Sequence, residues 1–316
     1  MIKDNTVFIL GAGASKPYKF PTSRELKNDI INNSYNYFLQ TDDIQRDQWT
    51  SIQRNEIGNR FRTFTKQYLD SRITSIDLFL NANPDLEDIG KTAIILTLDH
   101  FEKEFVKELS TNVELFNWYD YLFNYLIDDI RTIDKIVKLK GKISFITFNY
   151  DRSLEYFLWN AFKNYFNNVD PVKITQTLSS LPVYHVYGML GRFNPYLNDH
   201  NIFNAVGGIA SLLEVHKLKD SIKTIYQRTQ PEKNEFHDLI KNANAIYYMG
   251  FGFAEENIKA IGLNLPFGNR KKGYSTSVDL TKREQYRVLS RLSPDLKELF
   301  NFADNQTCLD LLRNSL

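Results

Sequence analysis

Four short stretches carry the residues with chemistry to offer, and each follows an apolar run. The first is Gly11-Ala12-Gly13-Ala14-Ser15, directly after Thr6-Val7-Phe8-Ile9-Leu10. Glycines let a backbone approach a phosphate closely, and a helix starting there offers unpaired N–H donors and a positive dipole end. The stretch is a nucleotide-phosphate cradle in form, and a side chain at Gly13 would intrude on a bound pyrophosphate. The second is Asn149-Tyr150-Asp151, after Ile143 to Phe148. An uncharged amide such as Asn149 orients a water without adding a charge that must be desolvated, and Asp151 can stabilise positive charge nearby. The third is His185 within Val183-Tyr184-His185-Val186-Tyr187, closed by Gly188. An imidazole there can accept a proton near neutral pH. The fourth is Gly250-Phe251-Gly252, after Ala245 to Met249.

Each stretch also has a plain structural explanation. A glycine loop can be a tight turn without a ligand. The dehydrogenase fingerprint is only half met, because Lys16 stands at its third glycine and no acidic residue closes a second strand about twenty positions on. Asn is a common turn former, and Asp151 suits the N-cap of a helix beginning near Leu154. A lone histidine in a strand is usually structural. The joint placement shifts the balance towards a site, because ligands of open parallel sheets lie beyond the carboxyl ends of the strands.

The elements that must position these residues are legible in the hydrophobic pattern. Thr22 to Glu25 has the spacing of a capping box and predicts a helix running into the thirties. From about 35 to 140 the character becomes helical. Glycine falls to Gly58 and Gly90, and Pro84 is the only proline. Ile94, Leu98, Phe101, Phe105 and Leu109 share one helical face, and Leu115, Tyr119, Leu122, Leu126 and Ile130 repeat that spacing. Apolar strand patterns return at 143–148, 183–187 and 245–249. The expected fold class is α/β, a Rossmann-like parallel sheet flanked by helices with an inserted α-helical module. Residues 1–34 and 141–316 form the nucleotide-binding part, 35–140 the insertion, and 1–316 one domain.

Composition narrows the function classes. With 39 basic and 38 acidic residues the net charge is +1, so direct nucleic-acid binding is not expected. The short run Arg270-Lys271-Lys272 reads as a solvated loop. A single cysteine, Cys308, excludes an internal disulfide and a four-cysteine zinc site, and it reads as a core residue. His100, His200, His216 and His237 show no ligand spacing, and no metal is expected. No signal-peptide pattern and no apolar run of about 18 residues is present, so a soluble cytoplasmic protein without membrane contact is expected.

The extended loop from Gly11 through Pro17 to Ser23, read with Thr147-Phe148-Asn149-Tyr150-Asp151 and His185-Val186-Tyr187-Gly188, resembles the sirtuin family. That family carries a GAG-x-S loop, an N-x-D turn and a histidine–glycine turn in this order. The chain is most similar to the sirtuin-like proteins of bacterial anti-phage defence, through Asn149 to Glu155, Gly250-Phe251-Gly252-Phe253, Ser75-Ile76-Asp77 and Ile89-Gly90-Lys91. Two departures separate it from the protein-deacylating branch. One cysteine cannot build that branch's zinc ribbon, and the histidine turn is one residue longer.

The resemblance implies an NAD+ glycohydrolase that releases nicotinamide and ADP-ribose as an abortive-infection effector. It implies Asn149, His185 and Asp151 as catalytic residues, with Asn149 orienting the water or the ribose hydroxyls and Asp151 holding the nicotinamide carboxamide or stabilising positive charge nearby. It places Gly11, Ala12, Gly13 and Ser15 at the phosphates, with Thr22 and Gly188 also in the binding set, and Gly250, Gly252 and Asn257 at the adenosine end. NAD+ enters as substrate, without a metal. Control by homo-oligomerisation, or by a partner ATPase, helicase or Argonaute-like protein, is expected. The competing readings are an NAD or ADP-ribose sensor without turnover, a dehydrogenase, and a zinc-free deacylase.

Overall fold

Runs of five apolar or β-branched residues that stop at a glycine or an asparagine form the middle of a sheet buried on both faces. β1 (Thr6–Leu10), β2 (Ile143–Thr147) and β4 (Ala245–Met249) are such runs, and β3 (Val183–His185), β5 (Lys272–Thr276) and β6 (Phe300–Ala303) complete the sheet. The computed structural model describes residues 5–46, 49–111, 116–128, 130–191, 193, 206–209, 211–224, 235–278 and 280–316. All strand pairs are parallel, in the order β3-β2-β1-β4-β5-β6. The protein is therefore an α/β protein with a Rossmann-like sheet. The chain moves outward from β1 to β3, then returns to lay β4 on the other side of β1. The carboxyl ends of β1 and β4 flank the crevice that this reversal opens.

Strand periodicity divides the core into two layers. Val7, Ile9, Ile146, Ile246 and Tyr248 point to one face. Phe8, Leu10, Phe145, Tyr247 and Met249 point to the other. On that second face Phe145, Phe8, Tyr247 and Tyr274 stack in a row across four strands, with ring centroids 5.2, 5.2 and 5.0 Å apart. The row fixes register, because a slip of one residue would turn every ring to the opposite face.

The helix Ser23–Leu39 opens with the expected capping box, in which Thr22 and Glu25 bond reciprocally. It passes straight through residues 34 and 35, where the insertion was expected to begin. The helices after it are Ser51–Asp70, Ile76–Ala82, Glu87–Thr111 and Trp118–Ile127. They supply both layers of the core, with Phe61, Phe64 and Ile95 on one face and Phe105, Trp118 and Leu122 on the other. The Glu87–Thr111 helix departs from the one-faced expectation. Every residue from Ile89 to Asp99 is buried, because Ser23–Leu39, Ser51–Asp70, Ile76–Ala82 and Leu212–Leu218 pack around it.

Three further expectations change. β3 stops at His185, where the chain turns and Gly188 forms an antiparallel bridge to Ile222. β5 and β6 were not anticipated, since β5 is largely polar and β6 is only four residues long. Lys271 is not solvated: it is 1% exposed, and its ammonium donates to the carbonyls of Lys241 and Ala243. Leu115 and His200 lie outside the described residues. Among the described residues no helix is long and apolar enough to cross a membrane.

Candidate active site

β1 and β2 are neighbours in register, so the turns that follow them emerge side by side. The Asn149 side-chain amide donates to the Gly11 carbonyl at 3.1 Å and to the Ser15 hydroxyl at 2.9 Å. The Ser15 hydroxyl in turn donates to Oδ2 of Asp151 at 3.2 Å. The other carboxylate oxygen accepts from the Ser153 backbone amide at 3.2 Å and from the Ser153 hydroxyl. Tyr119 supports Ser153 with an O···O distance of 2.7 Å. Every described group facing Asp151 is a donor, the arrangement an ionised carboxylate requires. Burial nevertheless pushes its carboxyl up to about 6, with the negative charges of Glu102 and Glu155 adding to the rise and Ser153 opposing it. A carboxyl in that range is suited to proton transfer near neutral pH.

His185 is positioned by β3, where it pairs with Thr147 of β2. Its side chain is 1% exposed. Nδ1 faces the Asn149 carbonyl at 2.8 Å, and Nε2 faces Oε1 of Glu155 at 2.6 Å. The carbonyl can only accept, so Nδ1 carries a proton, and a carboxylate beside Nε2 favours a proton there as well. Burial works against that charge, but Glu155 and the Asn149 carbonyl outweigh it and hold the imidazole above its ordinary value. In this arrangement the ring has no lone pair to offer a substrate. It fixes the main chain of Asn149 and so aims the amide.

The glycines turn out to pack against one another. Gly250 has φ +56, and a Cβ there would lie 2.2 Å from the Ala14 nitrogen. A Cβ on Gly11 would meet the Gly250 oxygen at 2.4 Å, and one on Gly13 would meet Gly250 Cα at 2.8 Å. The Gly13 amide donates to the Gly250 carbonyl at 3.2 Å. A side chain at Gly13 thus meets the protein's own backbone first, before any ligand space.

A cleft of about 110 Å³ opens beside this cluster. Ala12, Ser15, Asn149 and Asp151 line one part of it, with Phe20, Leu26, Leu98 and Phe148 as apolar walls. Residues 74–77 close another part and bring in Asp77. The single proton of the Tyr150 hydroxyl is shared between Asp77 Oδ1 at 3.0 Å and the Lys223 carbonyl at 3.1 Å. Burial pushes the Asp77 carboxyl up to about 6, against the pull of Tyr150.

The structure joins Gly11, Ser15, Asn149 and Asp151 in one hydrogen-bonded group, with Ala12 on its wall. His185 stands behind it. The remaining sequence candidates stand outside this hydrogen-bonded group. Thr22 caps its helix, and Gly188 lets the backbone pass the Ser221 carbonyl with φ +84. Asn257 accepts from the Tyr187 hydroxyl at 2.7 Å, and Gly252 is exposed with nothing near its Cβ position. Sequence reasoning missed Asp77, Ser153 and Tyr119. Asp77 comes from the helical region, and only its place in a Ser-Ile-Asp run hinted at a role. Glu155 stood inside a recognised motif, yet its contact with His185 needs the β2–β3 pairing. Among the described residues no three His, Cys, Asp or Glu side chains gather into a metal-binding group. No protein-family model matches the chain, and no curated protein matches its sequence.

Proposed function

We propose that the protein is an NAD+ glycohydrolase that cleaves the bond between nicotinamide and ribose. The observation that supports this reading is the chain Asn149–Ser15–Asp151 at the carboxyl ends of adjacent strands, facing a cleft with apolar walls. Nicotinamide leaves NAD+ as a neutral ring, taking the electron pair of the broken C–N bond, so no acid is needed. The hard steps are stabilising the cationic ribose and delivering water to its anomeric carbon. The Asp151 carboxylate suits both, stabilising the developing cation and accepting the proton of the attacking water, directly or through Ser15. Asn149 holds the Ser15 hydroxyl towards it. Water's oxygen forms the new bond and ADP-ribose is the second product.

The cleft matches the nicotinamide end alone; it is well below the roughly 300 Å³ or more of sites that enclose a whole ligand. On this reading the pyrophosphate and adenosine run across the crevice between the β1 and β4 turns. Continuous hydrolysis would drain a cell of NAD+, so the proposal includes conditional activity as an abortive-infection effector. Assembly with further copies, or with an ATPase, helicase or Argonaute-like partner, would supply the trigger.

One observation favours a second reading, a sensor that binds NAD+ or ADP-ribose without turnover. Both nitrogens of His185 are already paired, which leaves Asp151 as the proton acceptor. Chromatographic measurement of nicotinamide released from NAD+ by the purified protein separates the two readings. Release that is lost in Asp151→Asn supports the hydrolase, and saturable NAD+ binding without release supports the sensor.

A further inference from the structure

Asp77 lies some seventy residues before the Asn149 turn and belongs to a different element, yet it lines the same cleft. Its carboxylate accepts from the Tyr150 hydroxyl on Oδ1 at 3.0 Å and from its own backbone amide. A carboxylate has about four acceptor sites, so these two bonds leave acceptor capacity for a ligand. Asp151 lines the cleft as well, and Ser15 and Ser153 occupy part of its own acceptor capacity. Phe20, Leu26, Leu98 and Phe148 line the same cleft, a lining suited to a flat ring. A pocket with apolar walls and acceptors on its polar side accommodates a ring that carries N–H donors. It rejects the same ring carrying a negative charge, because that charge would meet like charges with little water to screen them.

We infer that Asp77 is a specificity-determining residue that accepts a hydrogen bond from the ligand's carboxamide and, with Asp151, excludes ligands that carry a carboxylate in its place. The inference rests on the reading of this cleft as the nicotinamide site. It divides two otherwise similar substrate classes. Pyridine nucleotides with an amide, such as NAD+, are admitted, and their deamidated acid counterparts are refused. The ionised state is available at pH 8, since burial raises the Asp77 carboxyl only to about 6. Tyr150 helps to place the acceptor, its single hydroxyl proton being shared between this carboxylate and the Lys223 carbonyl.

The test is the binding of nicotinamide and of nicotinate at pH 8, followed by ligand-observed NMR titration. It uses the wild type and Asp77→Asn, with NAD+ turnover measured on the same samples. Asp77→Asn keeps an oxygen for the Tyr150 hydroxyl, so it preserves the local fold, and circular dichroism checks this. The expected result is a wild-type preference for nicotinamide of at least about tenfold, of the size one buried polar mismatch produces. In Asp77→Asn that preference should narrow to about threefold or less, mainly through tighter nicotinate binding. An equal wild-type affinity for both, a ratio unchanged in Asp77→Asn, or no binding of either compound overturns the inference. Turnover of NAD+ alongside any of those outcomes leaves the hydrolase reading standing, and its absence alongside the expected preference removes only that reading.

Discussion

Nε2 of His185 lies 2.6 Å from the Glu155 carboxylate, and Nδ1 of the same ring lies 2.8 Å from the Asn149 carbonyl. The histidine is thereby a strut between the helix after β2 and the turn that carries the amide. Its ring nitrogens should both be protonated at pH 7, because Glu155 and the carbonyl outweigh the cost of burial. Nitrogen-detected NMR of the histidine rings checks this. Glu155→Gln should return His185 to a neutral ring with its proton on Nδ1, and NAD+ cleavage should fall by about tenfold or more as the Asn149 turn loosens. A neutral His185 in the wild type at pH 7 would contradict the strut.

The proton acceptor should then show itself in the pH profile. Asp151 is held up at about 6 by burial, and only its ionised form accepts a proton. The expected kcat/KM therefore rises with pH through about 6 and levels off above 7. A profile that is flat from pH 5 to 8 would remove Asp151 from this role.

Asp77 predicts a stability change of definite sign. Its carboxyl stands at about 6 in the folded protein against an ordinary 3.8, so folding favours the protonated form. That contribution is fully present below about 3.8 and is lost as pH rises through about 6. Asp77→Asn removes the ionisation and should be the more stable protein at pH 8, by at most about 3 kcal/mol. The advantage should shrink towards zero as pH falls to about 4. Urea unfolding across that range reads it, and a variant less stable than wild type at pH 8 would show that the charge is better compensated than the cleft suggests.

The glycine contacts give a paired test. Gly250→Ala forces a Cβ into the Gly13–Ala14 backbone at a φ of +56. It should cost about 2 kcal/mol or more of unfolding free energy. Gly252→Ala meets nothing and should stay within about 0.5 kcal/mol of wild type. Equal effects in urea unfolding would mean that the two turns do not pack as described.

Much of this arrangement was legible in the residues, and the reasons are specific. β1, β2 and β4 announced themselves because central parallel strands are mainly apolar or β-branched, and the turns that follow carry Gly11, Asn149 and Gly250. The Thr22–Glu25 cap was readable because it is local. β5 was hidden because Lys272-Gly273-Tyr274-Ser275-Thr276 is mostly polar, and β6 because Phe300-Asn301-Phe302-Ala303 is too short to stand out. Lys271 looked solvated because sequence does not reveal two carbonyls waiting for an ammonium. The candidate site was half visible. Ser15, Asn149 and Asp151 sit at predicted strand ends, but the Gly13–Gly250 packing, the Glu155–His185 contact and the approach of Asp77 are long-range facts. They depend on β2 and β4 flanking β1 and on the Ile76–Ala82 helix reaching the same turn.

The decisive measurement is nicotinamide release from NAD+ per subunit, for wild type, Asn149→Ala and Asp151→Asn, over a dilution series of each protein. The wild type should release nicotinamide and ADP-ribose in equal amounts, with turnover per subunit rising with protein concentration. Both variants should remain folded and lose about 100-fold or more of that activity. Wild-type protein that binds NAD+ but releases no nicotinamide at any concentration, or Asp151→Asn protein that retains full turnover, would contradict the hydrolase reading of this cleft.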